Sequence, residues 1–418
     1  MRYRALEVFA VLVLGLSGPA GAAGLSPSDL AARADEGRLS VRDFGAKGDG
    51  VTDDTAAIQA GLDFLARRGG GKLYFPFTKA GYLIASPGRE RDEAGRLVRA
   101  QLVIPAGMQH NIRLEGEMPC RLLYAYQVRN PPKGSLAASF FKPTRFGGMS
   151  VVNTYLHSTW DAPEVRSEKE RPWAVIAAPE GTSCTGKFSV SVFSFANLEI
   201  RVHLDTEKMY PTTSAANFHN ISRLIVEDSQ FCLDENVGDA VLGKELQPSP
   251  CVTVGLEASG DQNDDQVFRN VAAQGFKYGF VFGEHTCAEH LYVHNTEYAI
   301  SFADSSHPSI VNRVVAQHNG RILCALPNGA FGRGANVINL IVNELDYETG
   351  HGTKPSVSQL QYGLYDPENR FRGSLTYIQG FPGTGKDFFF PVTGGTNMLC
   401  RVLGSACESD NHNKGKSK

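Results

Sequence analysis

Seven residues, Tyr278-Gly-Phe-Val-Phe-Gly-Glu284, recur without a gap twenty positions later as Tyr298-Ala-Ile-Ser-Phe-Ala-Asp304. A strand pattern that returns at so short a period, with turn residues between the copies, cannot bury its apolar face alone and has to stack on itself. Other strand-like runs follow the same rhythm: Arg223-Leu-Ile-Val-Glu227, Asn270-Val-Ala-Ala273, His290-Leu-Tyr-Val-His294, Asn312-Arg-Val-Val-Ala316 and Asn339-Leu-Ile-Val-Asn343. They predict coils of about 22 residues, a short solenoid repeat. In such a stack, equivalent residues of neighbouring coils sit about 4.8 Å apart, so an alignment of repeats predicts columns on the wall. One predicted column is Asp228, Gln274, Asn295, Gln317 and Glu344; another is Arg201, Glu227, Ala273, His294, Ala316 and Asn343.

The N-terminal stretch Ser40 to Ile84 lays down the entry to the solenoid. Val41 to Phe44 read as a short extended run and Gly45 to Gly50 as a turn. The spacing of Ala56, Ile58, Leu62 and Leu65 predicts a helix over 54–67, with Thr52 or Asp53 accepting its free amides and Gly69 to Gly71 ending it. The strand Lys72 to Phe75 follows, closed by Pro76. This segment resembles the entry of the pectate-lyase-like (pectin lyase fold) superfamily. It departs from that pattern where Phe77 to Ala80 lengthen the turn before Gly81. The resemblance implies an all-β chain, a single-stranded right-handed parallel β-helix (solenoid) with an N-terminal capping helix. A scaffold does not name a reaction, which has to be argued from its sites.

Residues 1–23 carry Arg2 and Arg4, an apolar run and then small residues, the layout of a cleaved signal peptide. A secreted or periplasmic protein is therefore expected. The predicted organisation is a β-helix domain over 24–405, long insertions in 86–186 and a polar, disordered tail at 406–418. A net charge of −3 gives no basic footprint for nucleic acid and no polybasic membrane anchor, so neutral or weakly charged partners are expected; the resemblance implies a polysaccharide or oligosaccharide. The eight cysteines suit an oxidising compartment but leave their pairing open. No CxxC spacing points to a structural zinc site.

Extending the seven-residue match places Lys244, Glu284 and Asp304 in one column at a strand end, flanked by His285 and His307. Two carboxylates so close cannot both ionise freely, and that splits them into a proton donor and an anionic partner, the pair that glycosidic cleavage uses. A salt-bridge ladder is the structural alternative. The loop Gly260-Asp-Gln-Asn-Asp-Asp-Gln266 offers Asp265 as a further catalytic carboxylate, and Asp261, Asp264 and Asp265 as oxygen donors for calcium. His294 adds a polar side chain to the wall. Trp160 and Trp173, the only tryptophans, are candidates for stacking against sugar rings, or else anchors that fasten the insertion. The resemblance also implies a choice between hydrolysis and elimination or epimerisation. Lyases of the superfamily neutralise a uronate carboxylate with calcium or with basic side chains. Basic residues are scattered among acids here, so a glycoside hydrolase without a required cofactor is placed first, a lyase or epimerase second and a non-catalytic carbohydrate-binding solenoid third.

Overall fold

A computed structural model describes residues 25–78, 80–86, 88–117, 154–160, 173–180, 190–204, 212–219, 221–233, 252–259, 265–303, 305–317, 319–327, 337–348, 362–379 and 397–403. Within them the strands form three walls around one core, parallel except for the short antiparallel pair of Arg89–Arg91 with Leu97–Val103, the right-handed parallel β-helix that the resemblance implies. On the first wall the inward column runs Leu114, Phe195, Val226, Phe268, Ala288, Val311, Val342. The second wall stacks Ile200, Phe231, Ala273, Val293, Ala316 and Tyr347. The third stacks Ile176, Ala216, Leu256, Phe280, Ile300, Leu323 and Leu364. All these residues except the four alanines are large and apolar, and all are buried. They supply the continuous core that no single coil could close.

The first two walls share strands. Ile221–Leu233 pairs through Ile221 to Glu227 with one neighbour and through Gln230 to Leu233 with another. The chain turns the corner at single left-handed residues, Asn197, Asp228 and Asn270, with φ of 54°, 45° and 51°. Asn and Asp tolerate that conformation because their short polar side chains bond locally. Here they also bond between coils, Asn270 Nδ2 donating to Asp228 Oδ1 at 3.0 Å.

The seven-residue repeat is in register as expected. Tyr278 pairs with Tyr298 and Phe282 with Phe302, whose rings lie 6.0 Å apart. The two first-strand columns hold only in part: Gln274 shares a column with Gln317, and Ala273 with Ala316, but Arg201 and His294 fall in the glutamine column. Arg201 pairs with Cys232, Cys232 with Gln274, Gln274 with His294, His294 with Gln317 and Gln317 with Glu348. The left-handed corners, and register irregularities such as the one between Val342 and Leu345, shift positions that a simple period keeps aligned.

At the N-terminal end, the helix Thr55–Arg67 buries Ile58, Leu62 and Leu65 over the first coil, as its spacing predicts, while Ala56, expected on the same face, is exposed in the first turn. The expected strand at Val41–Phe44 is instead a 3-10 turn, held by a capping box in which Ser40 and Asp43 satisfy each other's amides. A further helix, Pro27–Asp35, has a capping box of its own at Ser26 and Asp29 and buries none of its residues.

Asp53 ties the capping helix to the wall. Its carboxylate accepts the Thr55 amide at 3.1 Å, the Ala85 amide at 3.1 Å and the Ser86 hydroxyl at 2.6 Å. Burial opposes its charge, but the Ser86 and Thr55 hydroxyls and the two amides outweigh that and hold the carboxyl below its usual range. Asp53→Ala is expected to destabilise the protein by about 1 kcal/mol at neutral pH, a typical cap loss at a largely exposed position. Because the folded-state value is lowered, the gap between wild type and variant is full above the unfolded value of about 3.9 and closes as pH falls through the folded one. Urea titrations at neutral and acidic pH measure this directly.

Candidate functional site

Strand Tyr278–Phe282 ends at Gly283, and the chain turns through Glu284 and His285 into the next wall at Thr286–Ala288. Several hydrogen bonds fasten this corner. Gly283 O accepts the Thr286 hydroxyl at 3.2 Å, Glu284 O accepts the Gln266 side-chain amide at 3.3 Å, and His285 O accepts the Gln266 backbone amide at 3.3 Å. His285 itself is left-handed, with φ of 57°, an uncommon conformation for a residue of its size. On the following coil, strand Ser305–Gln317 has a register shift between Ser305 and Ser309. That irregularity brings His307 alongside the corner.

The result is a compact group. His307 Nδ1 lies 2.5 Å from Glu284 Oε2, and the His285 and His307 rings stack at 4.6 Å with 13° between their planes. The Glu284 side chain is 6% exposed and that of His307 61%. A carboxylate so far from water needs a close partner, which the imidazole supplies. Nδ1 of His307 bonds to Glu284, and the ring that carries Nε2 is open to solvent, where an imidazole can exchange protons. Asp265 belongs to the same neighbourhood. It opens strand Asp265–Gln274, exposed, one step before the Gln266–Thr286 register pair and so beside His285.

Thus Glu284, His285 and His307 meet at one corner, and Asp265, from a separate candidate in the sequence, starts the strand on the preceding coil next to it. Asp304, Lys244, Asp261 and Asp264 lie outside the described residues. Trp160 sits at the end of strand Thr154–Trp160, in register with Leu204 on the second wall. Two expectations are corrected. His294 is on the second wall, 2% exposed, between Gln274 and Gln317, with its ring parallel to that of Tyr292. Trp173 begins strand Trp173–Ala177 and is 9% exposed within the main core, a packing anchor on the third wall.

Two further polar groups carry no signal in the sequence, because both depend on register. On the second wall, Arg201 Nε donates to Glu199 Oε1 at 2.5 Å and Cys232 Sγ to the same oxygen at 2.9 Å. On the third wall, buried Glu257 accepts Asn217 Nδ2 at 3.0 Å and the Ser259 hydroxyl at 3.1 Å, with His219 Nδ1 at 3.9 Å. Glu199 with Arg201 and Glu257 with Ser259 are two apart on one strand, but Cys232 and Asn217 join them from other coils, and a correct column alignment is the signal that would find them. The Glu257 group is buried, and in the Glu199 group only Arg201, 40% exposed, reaches the surface, whereas His307 is 61% exposed beside a second imidazole, which makes the Glu284 corner the better placed for an incoming polymer.

Residues 39–91 match the model of the family described as rhamnogalacturonase A/epimerase, pectate lyase-like. Among curated proteins, alginate lyase 7 of Azotobacter vinelandii is 40% identical over 74 residues, covering 18% of this chain and 8% of the relative. The mannuronan C5-epimerase AlgE5 of the same organism is 42% identical over 74 residues, 18% of this chain and 7% of its own. The chain therefore matches less than a tenth of the length of these relatives. Among solved structures, Geobacillus virus E2 ORF18 aligns over 88% of this chain and 62% of its own, at 15% identity and a TM-score of 0.33. The A-module of the A. vinelandii epimerase AlgE6 aligns over 88% and 96%, at 14% identity and a TM-score of 0.29.

Proposed function

We propose that this chain, a pectate-lyase-like β-helix protein, is an exported polysaccharide-active enzyme of the lyase or C5-epimerase kind, acting on a uronate-containing polymer. The observation that carries the reading is the imidazole of His307, held at 2.5 Å by a buried carboxylate and stacked on a second imidazole. Elimination and epimerisation share a first step, removal of the proton on the carbon next to the uronate carboxylate. His307 Nε2, oriented by Glu284, is the base for that step. His285 is the acid that follows. Stacked on the same side as His307, it protonates the departing glycosidic oxygen in elimination; epimerisation would draw its proton from a donor on the other face of the sugar. Hydrolysis instead asks for two carboxyl groups flanking the scissile bond. Glu284 is sequestered and bonded, which favours proton transfer through imidazole over the hydrolase placed first from sequence. The alginate lyase and mannuronan epimerases matched by the N-terminal segment support the same choice and make alginate the first polymer to try.

The test is incubation of purified protein with polymannuronate, polyguluronate and polygalacturonate. Ultraviolet-absorbing ends report elimination, and deuterium entering carbon 5 in heavy water with inverted proton couplings reports epimerisation. New reducing ends without unsaturation return the hydrolase. No change in any of the three polymers removes the proposal.

A further inference from the structure

We propose that Glu284, His285 and His307 also form a chelating site for a divalent transition-metal ion, and that filling it stops proton transfer at this corner. The second half rests on the function proposed above; the first half does not. Among the described residues this is the one group of three His, Cys, Asp or Glu side chains whose donor atoms all lie within 4.8 Å of one another. The donor set is two imidazole nitrogens and one carboxylate oxygen, which suits zinc, cobalt, nickel or copper. Calcium prefers a shell of six to eight oxygens and finds one carboxylate here. Bonds of about 2.0–2.2 Å to such an ion set neighbouring ligand atoms a little over 3 Å apart. The present 2.5 Å contact between His307 and Glu284 is shorter than that, so the ion enters by displacing this hydrogen bond. His307 has the freedom to swing, being 61% exposed on an irregular strand start, whereas Glu284 and the left-handed His285 are fixed by the corner. The parallel rings do not share a metal as they stand, because nitrogen lone pairs lie in the ring planes. Rotation of the exposed ring turns its nitrogen toward the ion. Once bound, the lone pairs of both imidazoles are committed, and neither ring can take up a proton.

The test uses the full chain with Zn²⁺ and Co²⁺ as probes and Ca²⁺ as control, read by calorimetry and by the visible bands of Co²⁺. Wild type is expected to bind one Zn²⁺ or Co²⁺ with nitrogen-type cobalt bands. His307→Gln and Glu284→Gln are expected to weaken binding beyond the roughly 10–100-fold that loss of a ligand's hydrogen-bonding partner causes. The melting curve of each metal-free variant shows that it is folded. Equal binding by wild type and both variants, or Ca²⁺ binding as tight as Zn²⁺, overturns the site. Uronan turnover is then followed as Zn²⁺ is added and removed by a chelator. Loss and recovery of activity support the switch, and unchanged activity with the site filled overturns it. If no uronan is turned over even without metal, the functional proposal fails alone, and the binding data still decide the site.

Discussion

His307→Gln is expected to lower uronan turnover by about 10²–10⁴-fold, the usual contribution of a positioned general acid or base. The loss falls on kcat, with KM little changed, because the imidazole acts while the proton moves rather than while the polymer docks. Glutamine can still bond Glu284, so the buried carboxylate is not stranded and the fold is expected to survive. That separation matters, since an unpaired buried charge would unfold the corner and mimic a catalytic loss. Two companion measurements make the result specific. In His307→Ala, added imidazole restores part of the turnover if the ring's nitrogen is what the reaction uses; a merely structural ring is not replaced this way. Glu284→Gln is a positioning change and is expected to lower kcat less than His307→Gln does, with no rescue by imidazole. If His307→Gln keeps near-normal turnover while Asp265→Asn loses it, the chemistry belongs to carboxylates, and hydrolysis regains first place.

Some of this was legible in the sequence, for a physical reason that also marks its limit. The match of Tyr278 to Glu284 with Tyr298 to Asp304 contains no corner inside it, so period alone places Phe282 on Phe302. From Phe282 it takes one more turn to reach Glu284, and that nearness brings the corner into view. The runs through Asp228 and Asn270 each contain a left-handed residue that bends one strand across two walls, and there the period loses register. The repeat marks His307 as a flanking group, but its contact with Glu284 follows from the irregularity between Ser305 and Ser309, which no hydrophobic pattern encodes. Glu257 and Glu199 were invisible for the same reason: what makes them notable is their neighbours on other coils, 40 and 33 residues away in sequence. The Val41–Phe44 turn shows the local form of this limit, where two hydrogen bonds from Ser40 and Asp43 overrule a strand-like composition.

Phe282→Ala is expected to destabilise the solenoid by about 3–5 kcal/mol, the range for truncating a fully buried aromatic. Phe282 is 0% exposed and its ring lies 4.7 Å from Phe268, 5.4 Å from Phe280 and 6.0 Å from Phe302. Its neighbour on the other side in the column is Ala258, too small to reach into the space left behind. Nor can the walls close over it, because backbone ladders hold adjacent coils at about 4.8 Å. The cavity therefore persists, and the variant is expected near the top of the range. A solenoid is coupled chiefly through neighbouring coils, so the damage should stay local and uncouple what lies on either side of Phe282. Denaturant unfolding of the variant is then expected to broaden or split, with the coils carrying the Glu284 corner lost first. Turnover should vanish at lower denaturant than circular dichroism does, whereas in wild type the two fall together. A single sharp transition shifted by less than about 1 kcal/mol would mean that the ring is not the keystone of its coil, a result at odds with the mechanism by which core truncations act.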